Sequence, residues 1–441
     1  MKSFKIINDY EVYTKIFKFS NSQIFKFLIL PLFLSFSASA QSPELKWIED
    51  HLIPLKYVTA ENGFDDMRAL DTKIGDARIV AMGECTHGSS EIFSMKHRML
   101  EYLVKEKGFT VFSIEANMPE AYELNKYILK GEGDVKTLMA GMYFWTWNTE
   151  EVKTMIEWMK KYNDTAANKI QFTGFDAQEC RFSIRYIRNF LIENIPSLKP
   201  VIDDYDSCYR QHRSIEDIKK KKYNNQLKND ARIILDSLQH LKNSGSSKVD
   251  AWVLQHATLL LQFPECMKGQ EYRDRIMAEN AKWIMGQNPG ARMMIWAHNE
   301  HVRTETNKFK VVRMGKYLRE WYGSKLVSIA FASEEGTYTA VRTSKDTSRG
   351  LRSNNQLIPS PENSCESLFR KTRFDNFILD LRDAKPDDIA TKWIFNTTLI
   401  RHLGAIAVDK FQFIDIQPIK DYDMMIFLRK TRASGCFWAE K

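Results

Sequence analysis

Glu84 and His87, in the run Met82-Gly83-Glu84-Cys85-Thr86-His87-Gly88, and His298 and His301, in Trp296-Ala297-His298-Asn299-Glu300-His301, are the residues best suited to chemistry in this chain. Each pair follows an apolar, β-like run, Ala77 to Met82 and Met293 to Trp296. Glu115 closes a second such run (Phe112-Ser113-Ile114-Glu115), and Asp176 and Gln178 follow a third. Polar, titratable groups just beyond buried strands mark the active edge of an open α/β sheet, so four strands are expected to deliver them to one site. Any one of these residues could simply fill a core or cap a helix; the repeated placement is what points to a shared site.

Histidine is the natural general base near neutral pH, and a neighbouring carboxylate fixes its tautomer and raises its basicity. A His–Glu pair with water therefore suits hydrolysis. The second His pair, or Lys96 and Arg98 on the following helix, would donate hydrogen bonds to a developing oxyanion. The same His and Glu side chains would also suit a catalytic metal, and their spacing leaves both readings open. Cys85 sits inside the first motif, where a thiol beside a buried strand is expected to be inert. The sequence contains neither a Gly-x-Ser-x-Gly elbow nor a Gly-rich phosphate loop, which argues against a conventional serine hydrolase and against nucleotide chemistry.

The elements that must position these groups alternate in type. Apolar runs at Ala77–Met82, Thr110–Ile114, Ile170–Gly174, Met293–Trp296, Leu326–Phe331 and Met424–Leu428 read as strands, with Asn376–Leu379 and Ala405–Val408 as weaker candidates. Helical patterns at Ile92–Lys107, Pro119–Leu129 and Thr149–Tyr162 separate them. This alternation predicts an α/β fold with a mostly parallel central sheet and flanking helices. The interval 182–288 reads as helical almost throughout, a large helical subdomain over the cleft. Thr343 to Ser364, with its Ser, Asn and two Pro, is expected to be a long mobile loop.

The chain has 441 residues, 44% hydrophobic and 27% charged, ordinary values for a well-packed globular protein. Lys15, Lys18 and Lys26 precede the apolar stretch Phe27–Leu34, and the small residues Ser35 to Ala40 follow. Residues 1–40 are expected to be a signal peptide cleaved before Gln41, sending the remainder to the periplasm or the exterior. The apolar core is too short to span a bilayer, so no stable membrane anchor is expected. The net charge is +8, of which residues 1–40, with five Lys and two acids, carry three units. The run Lys219-Lys220-Lys221-Lys222 lacks interleaved aromatics and reads as a solvated helix face, not a nucleic-acid surface. Six cysteines, at 85, 180, 208, 266, 365 and 436, show no C-x-x-C spacing, so neither a zinc ribbon nor a dithiol motif is expected.

From about Trp47 to Leu428 the chain resembles the erythromycin esterase family. The resemblance runs through Gly83–Gly88, Ile114-Glu115-Ala116, Trp147-Asn148-Thr149-Glu150-Glu151, Phe172–Gln178, Arg275–Asn280, Trp296–Val302 and Met314–Leu318, an ordered set far more specific than any one member. It implies an α/β core with a deep cleft, and hydrolysis of the lactone ester that closes a macrolide ring. By position, His87 would activate water, Glu84 and Glu115 would orient it and hold the proton network, and His298 and His301 would stabilise the tetrahedral intermediate from the opposite wall. Lys96 takes the place of an arginine in the family pattern, with Arg98 close by; the two side chains are not equivalent in bidentate contacts. Tyr143, Phe144, Trp145 and Trp147 would form an apolar wall of the substrate pocket, with Asp176 and Arg98 as polar contacts. The resemblance implies a small-molecule ester substrate and no cofactor. Metal-dependent hydrolysis of another ester, amide or envelope component, and non-enzymatic haem or metal binding, are the alternative readings.

Overall fold

In the computed structural model the central strands are buried along their whole length, and their alternating side chains feed two apolar layers. Val80, Met82, Phe112, Ile114, Met294 and Trp296 face one layer, while Ile79, Ala81, Val111, Met293 and Ile295 face the other. A two-residue period with apolar groups on both faces requires helices on both sides of the sheet. The structure describes residues 41–212, 220–306, 309–343 and 349–439. The expected signal peptide and Lys219 lie outside these residues.

The strands are β1 (Leu52–Pro54), β2 (Ile79–Met82), β3 (Val111–Asn117), β4 (Gln171–Asp176), β5 (Met293–Trp296), β6 (Leu326–Arg342), β7 (Gly350–Gln356), β8 (Asn376–Asp380), β9 (Thr398–Arg401), β10 (Phe413–Ile416) and β11 (Met424–Thr431). Among the described residues nine of them form one sheet in the order β1-β8-β11-β6-β2-β5-β3-β4, with β7 paired to β6. The run from β11 to β4 is parallel throughout. Within this sheet antiparallel pairing is confined to the contacts of β1, β8 and β7. The fold is therefore α/β with a mostly parallel sheet.

Two expectations need correction. Ala405–Val408 is not a strand: β9 and β10 lie on either side of it and pair with each other. Ile406 is 54% exposed, so its apolar character marks surface, not core. The stretch expected to be a loop, Thr343 to Ser364, contains β7, an edge strand built from the polar residues Arg352 to Gln356. Its pairing is made by backbone groups, which polarity does not reveal; residues 344–348 of that stretch lie outside the described residues.

The helix Ser90–Lys107 covers one face of the sheet with Ile92, Phe93, Met95 and Met99. The helix Gln270–Gln287 covers the other with Ile276, Met277, Ala281 and Ile284. Between Arg181 and Cys266, four helices (Arg181–Asn194, Lys199–Gln211, Lys221–Asn243 and Ala251–Cys266) share an apolar cluster of their own around Tyr205, Leu227, Ile234 and Leu260. No helix among the described residues is long and apolar enough to cross a membrane.

Candidate active site

β2, β5, β3 and β4 are neighbours and parallel, so their carboxyl ends share one edge of the sheet. Glu84 and His87 follow β2, His298 and His301 follow β5, Glu115 lies near the end of β3, and Asp176 closes β4. Gly83 allows the turn after β2: a Cβ there would lie 2.2 Å from Asn299 Oδ1. Asn299 in turn bonds both Phe331 O (2.8 Å) and Phe331 N (3.0 Å) within β6, tying the turn after β5 to that strand.

Glu84 is fully buried and its carboxylate accepts three hydrogen bonds: from His87 Nδ1 (2.6 Å), Lys96 Nζ (2.9 Å) and Trp296 Nε1 (2.6 Å). Three donors, one of them a cation, give the buried carboxylate the partners that burial requires. Burial pulls the Lys96 ammonium down to about 8, against the pull of Glu84. Its Nζ lies 4.4 Å from the centre of the Trp296 ring, a cation–π contact. Lys96 thus acts on Glu84, beneath His87. With Nδ1 bonded to Glu84, the His87 Nε2 is the nitrogen left for the cleft that the ring lines.

Opposite His87 stands an ionic cluster. Glu115 accepts from Arg273 Nη2 (2.6 Å) and from the backbone N–H of His298 (2.9 Å). Arg273 also grips Asp176 through Nη2 (2.7 Å) and Nε (3.1 Å). His301 places Nδ1 2.7 Å from Asp274 and Nε2 3.3 Å from Glu115. Burial opposes the imidazolium, but Asp274 and Glu115 outweigh it and raise His301 to about 10. Arg273 Nη1, 3.2 Å from His301 Nε2, is then not a partner of the ring and donates to Gln270 Oε1 (3.3 Å). Glu115 is buried, yet His301 and Arg273 hold its carboxyl well below the usual range. Arg313 closes the cluster on Asp274 (3.0 Å) and Glu300 (2.9 Å).

His298 is different. Burial, reinforced by His402 and His87, keeps it neutral, well below its ordinary value. Its Nδ1 accepts from Glu300 N–H (3.2 Å) and its Nε2 donates to Leu403 O (3.2 Å). Both nitrogens are committed to backbone, so His298 orders the wall and has no spare N–H for an oxyanion.

His87, Glu115, Arg273, His298, His301 and His402 line one cleft of about 320 Å³, with Glu300 and Arg313 at its side. Arg98, expected to contact substrate, does not reach it. Arg98 is fully buried on the far side of its helix, bonded to Asp66 (2.6 and 3.0 Å), Gly63 O (2.8 Å) and Tyr57 O. Residues two apart on a helix face in nearly opposite directions, so Lys96 and Arg98 cannot serve one site. Tyr143 is 45% exposed and stacks under Arg181 (4.1 Å), outside this cleft. Trp147 is buried, donating to Glu115 O (3.1 Å) and packing edge-on against His87 and Trp296, so it braces the site from behind. Trp145 is half-buried, and its carbonyl accepts from Cys436 Sγ. Asp176 acts through Arg273. Burial pushes the Cys85 thiol up to about 12, leaving no thiolate at neutral pH.

Sequence reasoning missed Arg273, Asp274, Arg313 and His402. Arg273 and Asp274 are the two residues immediately before the Arg275–Asn280 motif, inside a segment whose helical period points to its apolar face. Among the described residues no three His, Cys, Asp or Glu side chains converge as a metal-binding group. The nitrogens and carboxylates that could have done so are paired with one another, His87 with Glu84 and His301 with Asp274.

One pH effect follows from this cluster. His301 titrates near 6.5 when unfolded and at about 10 when folded. The folded state therefore holds the extra proton between these values, and the stability this gives is complete below about 6.5 and lost as pH rises through about 10. Urea unfolding at pH 6, 8 and 10 is expected to show declining stability, with a shallower decline in His301→Gln. An identical slope in the variant would mean the imidazolium is not held as described.

The family model described as erythromycin esterase matches residues 104–431. YbfO of Bacillus subtilis (strain 168) is 26% identical over 91% of this chain and 95% of its own. Erythromycin esterase type II of Escherichia coli is 24% identical over 78% of this chain and 90% of its own. A crystal structure of a Bacillus cereus protein superposes with a TM-score of 0.78 at 27% identity, covering 89% of this chain and 98% of that one. With the family match spanning most of the sheet and the wall of the cleft that faces His87, the chain belongs to the erythromycin esterase family.

Proposed function

We propose that the protein hydrolyses a carboxylic ester by attack of water, with His87 as general base. The observation that carries this reading is the Glu84–His87 pair, bonded at 2.6 Å through Nδ1 with the other ring nitrogen left to the cleft. Two of the other three cleft histidines are unsuited to the role: His301 is already protonated and His298 has both nitrogens engaged. His87 Nε2 takes a proton from water as its oxygen attacks the carbonyl carbon, and Glu84 holds the resulting imidazolium. The C–O bond then breaks, and the leaving alkoxide takes the proton from His87. Arg273 and His301 supply positive potential on the facing wall.

The macrolactone of an erythromycin-type macrolide is the substrate class favoured by family membership. The cleft alone is at the small end for a drug-sized ligand, whose pockets run to roughly 300–1,000 Å³. A second hollow of about 330 Å³, lined by Arg303, Leu399, Phe413 and Ile414, shares Glu300 and Arg313 with it and would take an apolar flank of a large ring. Residues 1–40, read as an export signal, would place the reaction outside the cytoplasm.

Mass spectrometry of erythromycin incubated with the purified protein is expected to show a product heavier by one water, undiminished by EDTA. Unchanged erythromycin after prolonged incubation with folded protein would remove the macrolide from this reading. A product lost with EDTA and restored by a divalent ion would replace the metal-free base.

A further inference from the structure

The loop after β9 brings a histidine to the cleft that the steps above do not use. His402 lines the cleft, and its ring meets His298 edge-on at 4.6 Å, as His298 meets His87 at 5.0 Å. The segment lies over His87: a Cβ on Gly404 would stand 4.0 Å from His87 Cδ2. It is held rigidly. His402 N–H donates to Gln412 O (2.8 Å), and Leu403 N–H donates to Cys85 O (2.8 Å) while its carbonyl accepts from His298. The fully buried Arg401 next to it bonds Ser333 O (2.8 Å) and Gln412 Oε1 (2.7 Å). A loop fixed at this many points holds its side chain ready for a reacting group, as preorganised donors require.

The protonation pattern of the ring follows from its surroundings. Burial pulls His402 down to about 4, so it is neutral at pH 7. Its Nδ1 is buried with no hydrogen-bond partner. A neutral imidazole carries one proton, and orphaned buried N–H groups are rarer in folded proteins than under-satisfied acceptors. The proton therefore belongs on Nε2, the nitrogen that reaches the cleft.

We infer that His402 is a further catalytic residue, whose Nε2–H donates a hydrogen bond to the oxyanion formed when water attacks the ester carbonyl. The inference rests on the esterase reading above. No proton is transferred: the carbonyl π electrons move onto oxygen, the N–H steadies that charge, and it is released when the carbonyl re-forms and the alkoxide leaves. This supplies the donor that His298, engaged at both nitrogens, cannot provide.

Two variants separate donation from packing. His402→Phe keeps a ring against His298 and removes the donor, whereas His402→Gln removes the ring and keeps an N–H. With erythromycin, the phenylalanine variant is expected to lose about 10²–10³-fold in kcat, with KM changed less than threefold. The glutamine variant is expected to recover at least tenfold over phenylalanine. Nitrogen-15 NMR of histidine-labelled protein, with the His402 signals assigned by their loss in the phenylalanine variant, should show the Nε2–H tautomer at pH 7. A wild-type rate in the phenylalanine variant, or a glutamine variant no faster than phenylalanine, would overturn the inference. If the wild type leaves erythromycin intact, the macrolide reading fails by itself, and the tautomer decides the donor: Nε2–H keeps it and Nδ1–H ends it.

Discussion

Replacing His87 by glutamine is expected to lower kcat for erythromycin by about 10²–10⁴-fold, the usual worth of a general base, with little change in KM. The fold should barely notice. Glu84 keeps its bonds to Lys96 and Trp296 when His87 is replaced, so the buried carboxylate still has a cation and a neutral donor. The stability cost should then be near that of one hydrogen bond, about 1 kcal/mol. Rate and stability are thus predicted to separate, which distinguishes a base from a residue that merely supports the wall. The decisive comparison is steady-state kinetics beside a urea melt of the same preparation. Hydrolysis within threefold of wild type would show that another group takes the proton.

The residues that sequence made visible share one property: each follows an apolar run short enough to be a buried strand. Glu84, His87, Glu115, Asp176, His298 and His301 were legible because parallel strands put such positions at one edge. The strand order that makes β2, β5, β3 and β4 neighbours was not legible, since β5 enters from 176 residues beyond β3 to lie between β2 and β3. Arg273 reaches the cleft from the first turn of a helix whose pattern advertises only the face packed on the sheet. His402 follows β9, whose partner β10 lies beyond residues 405–408; these read as a strand by composition, yet they make only an isolated bridge to Val341 of β6, with Ile406 and Val408 exposed and Ala407 against a small apolar cluster. Arg98 was misplaced for a purely geometric reason, the turn of the helix between residues 96 and 98.

Replacing Arg273 by methionine is expected to cost about 3–5 kcal/mol, the penalty for stranding a buried charge. Arg273 lies between Glu115 and Asp176, both buried, and is the guanidinium that binds the two of them. Methionine roughly fills the volume and leaves Asp176 with Ala177 N–H and the Gln178 amide, neither of them charged. The loss should depend on pH with a definite sign. Glu115 in the folded protein sits well below its usual value, partly through Arg273. A depressed carboxyl adds stability above its unfolded value near 4.3, and that stability disappears as pH falls through the folded value. The gap between wild type and variant should therefore be widest at neutral pH and close on acidification. Lysine at the same position restores the charge without the fork that spans two carboxylates, so Arg273→Lys should fall between the two. Urea unfolding from pH 7 down to about pH 2 tests both parts. A loss below 1 kcal/mol at pH 7, or a gap that widens in acid, would mean that the carboxylates of β3 and β4 are neutralised by something other than this arginine. In that case the facing wall would owe its positive potential to His301 and Arg313, and the charge that meets the substrate would have to be reassigned to them.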